Sequence, residues 1–172
     1  MERLMPRKDG SGFDWLVSPQ LHQRVRSEAS HSDEYETPHT LYEDICNHFR
    51  IYPELDVCAE YGMNKCFKFF SPAEDGLAHN WNHWSVWCNP PHSKTKEFAL
   101  HADKQWTENN INIMMLVPAN AVCAHYFSDI FNKNHAKYYR LAGRIRFLVD
   151  GKPSPHPSRN AYFVVVWRKR NG

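Results

Sequence analysis

Residues 111–117, ending at Pro118, constrain the fold of this chain more than any other stretch. Apart from Asn112 they are apolar throughout, the pattern of a parallel strand buried on both faces. Such a strand needs helices on each side of its sheet. Leu41, Ile45 and Phe49 repeat at four-residue spacing and predict an amphipathic helix to about residue 50, with Thr37 as N-cap and Pro38 in its first turn. Phe98, Ala102 and Trp106 mark the apolar side of a second helix. Val122, Tyr126, Phe127 and Ile130 mark that of a third. Short strands are expected at 55–57 and 86–88, and late ones at 138–141, 145–149 and 161–167. Strands and helices alternate and strands then cluster. That order predicts an α/β fold whose mixed sheet finishes in a C-terminal antiparallel hairpin. Residues 1–32 read as a poorly ordered arm and 33–172 as one domain. At 42% hydrophobic and 14% aromatic residues the chain has the material for a sizeable core.

Several function classes are disfavoured at this level. No run of 18 apolar residues indicates a membrane span, and the first residues lack the apolar centre of a signal peptide, so a cytoplasmic protein is expected. The five cysteines form no Cys-x-x-Cys and no disulfide frame. His79 and His83 have the spacing of two ligands on a helix, but Asn80, Trp81 and Asn82 do not read as one, and no metal is expected. The net charge of +2 by itself points to no nucleic-acid partner. Lys94 and Lys96, Arg140, Arg144 and Arg146, and Arg168-Lys169-Arg170 form local basic clusters suited to phosphate contacts or to plain solvation.

The short apolar stretch Val86-Trp87-Cys88 runs into Asn89-Pro90-Pro91-His92. An Asn side-chain oxygen and the carbonyl of the next proline can both accept hydrogens from an aromatic amine. That pulls the nitrogen towards tetrahedral geometry and frees its lone pair to attack a sulfonium methyl group. Two prolines in a row hold φ near −65° and aim the carbonyl rigidly. A ring in the fourth place can stack on an extruded base. A Pro-Pro turn after any strand has the same letters, so the tetrapeptide alone leaves both readings open.

The order of segments closes part of that gap. Tyr35-Glu36-Thr37-Pro38, Leu55-Asp56-Val57-Cys58-Ala59, Asp75-Gly76-Leu77, Trp87-Cys88-Asn89-Pro90-Pro91, Leu116-Val117-Pro118-Ala119 and Gly143-Arg144-Ile145-Arg146-Phe147 follow one another. Together, over about residues 33–168, this series resembles the phage-type, Dam-like DNA N6-adenine methyltransferases. The resemblance implies a Rossmann-like fold, S-adenosyl-L-methionine as methyl donor and double-stranded DNA as substrate, with no obligate protein partner. It assigns Asn89, Pro90, Pro91 and His92 to catalysis, with His92 standing where the family usually has Tyr or Phe. Thr37, Pro38, Asp56, Cys58, Ala59 and Asp75 look like the donor site, although no Gly-x-Gly follows Asp56. Lys94, Arg144 and Phe147 look like DNA contacts, and the loops at 60–70, 93–97 and 150–159 are left to read bases. The same turn would serve cytosine N4, RNA adenine or a glutamine amide. A non-catalytic nucleic-acid-binding relative is the reading from another class.

Overall fold

The computed structural model describes residues 2–3, 35–82 and 84–171. Apart from residues 2–3, the expected N-terminal arm lies outside the described residues. The strands are β1 (Glu2–Arg3), β2 (Leu55–Asp56), β3 (Lys68–Phe69), β4 (Val86–Cys88), β5 (Ile113–Pro118), β6 (Lys137–Arg140), β7 (Leu148–Val149), β8 (Lys152–Pro153) and β9 (Tyr162–Trp167). The α-helices are α1 (His39–Phe49), α2 (Thr95–Asn109), α3 (Ala119–Val122) and α4 (His125–Asn132). Seven strands form one mixed sheet in the order β1-β6-β9-β5-β4-β2-β3. β9 runs antiparallel between β5 and β6, while the pairs β1–β6, β5–β4, β4–β2 and β2–β3 are parallel.

The apolar strands are covered on both sides. Ile113, Met115 and Val117 of β5 and Phe163, Val165 and Trp167 of β9 pack with Phe98, Ala102 and Trp106 of α2 and Phe127 and Ile130 of α4. Met114 and Leu116, with Tyr162, Val164 and Val166, pack with Leu41, Ile45 and Phe49 of α1 on the opposite face. This alternation is the two-residue period of a strand sandwiched between helical layers. Each fully buried large apolar side chain contributes about 1.5–3 kcal/mol. α1 and α2 end alike, at left-handed Arg50 and Asn110, whose N–H groups bond Cys46 and Trp106.

Three local expectations are corrected. Thr37 does not cap α1: the helix starts at His39, Pro38 occupies the N-cap position, and no side chain makes the cap bond. The expected third helix is two, because the chain turns at Cys123 before α4 begins. Of the strand expected at 145–149 only Leu148–Val149 forms, and it pairs with β8 in a separate two-stranded hairpin. Its preceding carbonyls are taken by the proline-rich loop. Ser158 N–H donates to Ile145 and Ser154 N–H to Phe147, so those residues have no ladder to join.

Candidate active site

A cavity of about 490 Å³ lies at the carboxyl ends of β2 and β4, where open α/β sheets bind ligands. Its wall is assembled from distant segments. Tyr35, Glu36 and Thr37 come from the chain entering α1, Asp56, Cys58 and Ala59 from the end of β2, Asp75 and Gly76 from a 3-10 turn, Asn89 and Pro91 from the end of β4, and Val149 and Asp150 from the small hairpin. Eight of the thirteen residues singled out in the sequence line it: Thr37, Asp56, Cys58, Ala59, Asp75, Asn89, Pro91 and Lys94.

Asn89 is oriented by its own hydrogen bond. Its Nδ2 donates to the Tyr35 carbonyl at 2.7 Å. A carbonyl can only accept, which fixes the amide: its nitrogen points at Tyr35, and its oxygen has no donor among the described residues. The prolines behind it hold the turn, with Pro90 buried and Pro91 starting the 3-10 turn His92–Lys94.

Asp56 is 3% exposed, and its two oxygens accept from the backbone N–H groups of Cys58 at 3.2 Å and Lys65 at 3.0 Å. Burial pushes its carboxyl up to about 6, against the pull of those amides and of the Lys65 charge. It therefore shapes the loop after β2 as well as facing the cavity. Burial also raises the Glu36 carboxyl, opposed by Lys65 and reinforced by Asp150 and Glu60. The same desolvation lowers the Lys65 amine, against Asp56 and Glu36. Cys58 Sγ lies 3.7 Å from Cys88 Sγ, and burial followed by that contact raises its thiol well above the usual range. It remains a thiol, not a thiolate nucleophile.

Thr37 is 2% exposed, and its hydroxyl has no hydrogen-bond partner among the described residues. Thr37 thus carries a buried hydroxyl on the cavity wall with unused hydrogen-bonding capacity. Asp75, at φ 52°, accepts from its own turn at Leu77 N. The following Gly76 is required by packing: a Cβ there would overlap the Val57 carbonyl. Trp81, fully buried, donates its indole N–H to the Gly76 carbonyl at 2.9 Å and ties this turn towards α2 through Gln105.

The remaining expectations fall outside the wall. His92 Nε2 shares a 2.7 Å hydrogen bond with the Tyr162 hydroxyl. Phe147 is 1% exposed in the core and stacks on Tyr35 at 5.2 Å. Arg144 donates to the Ser158 carbonyl, and Pro38 precedes α1 away from the wall. Sequence reasoning gave no individual role to Glu36, Glu60, Lys65 or Asp150, the last three falling in the loops left to read bases. They are scattered charged residues with no shared motif, and only the fold brings them together. Among the described residues no three His, Cys, Asp or Glu side chains group as metal ligands, and no helix is long and apolar enough to cross a membrane. His83 lies outside the described residues.

The chain matches the family model Dam, DNA N-6-adenine-methyltransferase, over residues 24–171. The chain belongs to the Dam family. The match takes in every cavity residue from Tyr35 to Asp150. No match was found among curated proteins. At family level Dam membership means methylation of adenine N6 in DNA. Asn89-Pro90-Pro91 stands at the carboxyl end of β4 beside a cavity of small-molecule size.

Proposed function

We propose that the protein transfers the methyl group of S-adenosylmethionine to the N6 amine of adenine in double-stranded DNA, on a Rossmann-like methyltransferase fold. The observation that carries this reading is the Asn89 amide, locked through Tyr35 so that its oxygen is left as an acceptor on the cavity wall. The parallel run of β5, β4, β2 and β3, with antiparallel β9 inserted beside it, supports the fold assignment.

The residues present fit the donor. Thr37 offers an unused buried hydroxyl for a carboxylate. Glu36, Asp56, Glu60, Asp75 and Asp150 give the cavity a mainly acidic character suited to an ammonium and a sulfonium, with Lys65 and Lys94 as the cations on its wall. S-adenosylmethionine supplies an electrophilic methyl group on a positively charged sulfur. The chain's own contribution is positioning. A flipped adenine, extruded at a cost of a few kcal/mol, presents its amine to the Asn89 oxygen and the Pro90 carbonyl. These accept its hydrogens and orient the lone pair. Neither is a base, and the surplus proton passes to water after transfer. Tyr35 lines the cavity beside Asn89 with Phe147 stacked behind it, so Phe147 acts through Tyr35. His92, held by Tyr162, steadies the turn.

The test is transfer of isotope-labelled methyl to unmethylated duplex DNA, followed by nucleoside mass spectrometry, with Asn89→Ala alongside. Label in N6-methyladenine, reduced about 100-fold or more in the variant, is expected from the loss of a positioned polar group. Label in N4-methylcytosine would keep the mechanism and change the base. No label and no donor binding in calorimetry would leave a nucleic-acid-binding relative without turnover.

A further inference from the structure

A second cavity, about 500 Å³, opens at the far end of the sheet, where β9 leaves and β6 begins. The register separates it from the first. Trp167 pairs with Ile113, the first residue of β5, whereas Tyr162 pairs with Pro118, the last. Those strand ends are ~17 Å apart at about 3.4 Å per residue, and the two cavities share no lining residue.

Their chemistry is opposite. The catalytic cavity is dominated by carboxylates, whereas this one is lined by Lys133, Lys137, Arg168 and Arg170 and, among the described residues, by no carboxylate. The acid beneath it, Asp103, is engaged with His135 Nδ1 at 3.0 Å and Trp167 Nε1 at 3.1 Å. The two guanidinium groups are preset by neutral partners. Arg168 donates to the Phe49 carbonyl at 3.0 Å, and Arg170 donates to the Thr107 carbonyl at 3.2 Å and lies over the Trp106 ring at 4.6 Å. Such contacts fix the arginines without neutralising them. None of the four cations is ion-paired among the described residues.

We propose that this basic cleft binds the phosphate backbone of DNA, at a place separate from the catalytic mouth. The identity of the polyanion rests on the DNA-methylation reading. The acidic catalytic cavity repels phosphate, so the electrostatic grip on a duplex has to come from elsewhere on the surface, and this cleft supplies four positive charges without a sequence-reading contact.

The experiment uses the full chain and the double variant Lys133→Gln/Lys137→Gln. Both lysines are exposed, and their side chains make no hydrogen bond among the described residues. Affinity for a 40-base-pair duplex is measured across about 50–200 mM salt, the range over which such contacts are read. Loss of two phosphate contacts lowers the slope of log affinity against log salt by about 1.8. Over that range the wild type then loses about 12-fold more affinity than the variant. DNA should also slow acylation of Lys133 and Lys137 in the wild type, while methyl transfer at saturating DNA stays unchanged. Equal slopes, with both lysines acylated as fast in the presence of DNA, overturn the proposal. Protection by polyglutamate and not by DNA overturns it in favour of an acidic protein partner. An unchanged slope with methylation intact removes the cleft alone. A lowered slope in a protein that methylates nothing removes the methylation reading and leaves the cleft a DNA site.

Discussion

Replacing Thr37 by Val separates a ligand-facing hydroxyl from a structural one, because the two roles predict opposite signs. In the ligand-free protein the hydroxyl is buried at 2% exposure with no partner among the described residues. Such a group costs about 1–3 kcal/mol, and Val removes it while keeping the β-branched shape. Thr37→Val should therefore stabilise the free protein. Even 1 kcal/mol is roughly 2–4 °C of Tm for a domain of this size. On the proposed function the same substitution also deletes a hydrogen bond to the charged end of the donor, about 1.5–3 kcal/mol, so donor affinity should fall about 10- to 150-fold. Differential scanning fluorimetry of the free protein gives the first quantity, and calorimetric titration with S-adenosylmethionine gives the second. A lower Tm would show that the hydroxyl is bonded in the native state. An unchanged affinity would show that it does not face the donor. Either result refutes the argument.

Two further outcomes follow from the same cavity. Gly76→Ala forces a methyl group into the Val57 backbone carbonyl, which no rotamer change can relieve; the expected loss is about 3 kcal/mol, roughly 6–12 °C of Tm, and thermal melting that matched wild type would contradict it. Asp56 has a carboxyl raised by burial from 3.8 to about 6, so the folded state holds its proton more tightly than the unfolded chain does. Its contribution is complete below about pH 4 and is lost as pH rises through 6, a change of about 3 kcal/mol; chemical denaturation of wild type and Asp56→Asn across that window should show the difference shrinking in the variant.

Much of the frame was legible in the chain. The strands β4, β5 and β9 and the helices α1 and α2 announce themselves because a strand or helix buried along its length must be apolar at every, or every third to fourth, position. What escaped was non-local. Nothing in Tyr162–Trp167 says that it will insert between β5 and β6, since pairing partners lie far apart in sequence. Ile145–Phe147 carry a strand-like pattern, yet their carbonyls are captured by the loop at Ser154 and Ser158. At the site, Asn89 and Asp56 were readable as residues at strand ends. Glu36, Glu60, Lys65 and Asp150 were not, because isolated charges look like solvated surface until the fold gathers them. His92 was legible as a turn residue, and its Tyr162 partner, 70 positions away, was not.

Tyr35, Glu36 and Thr37, ahead of Pro38 and α1, touch three parts of the molecule at once. The Tyr35 carbonyl holds Asn89, Glu36 bridges to Leu148 of the small hairpin in both directions, and Thr37 lines the cavity. A tripeptide with so little slack works as a clasp. On the proposed function, a donor settled against Thr37 would also set the pitch of the Asn89 amide that receives the base, and a base held at Asn89 would act on the donor pocket in return. Linkage would make that influence equal in both directions, carried through one short stretch of backbone.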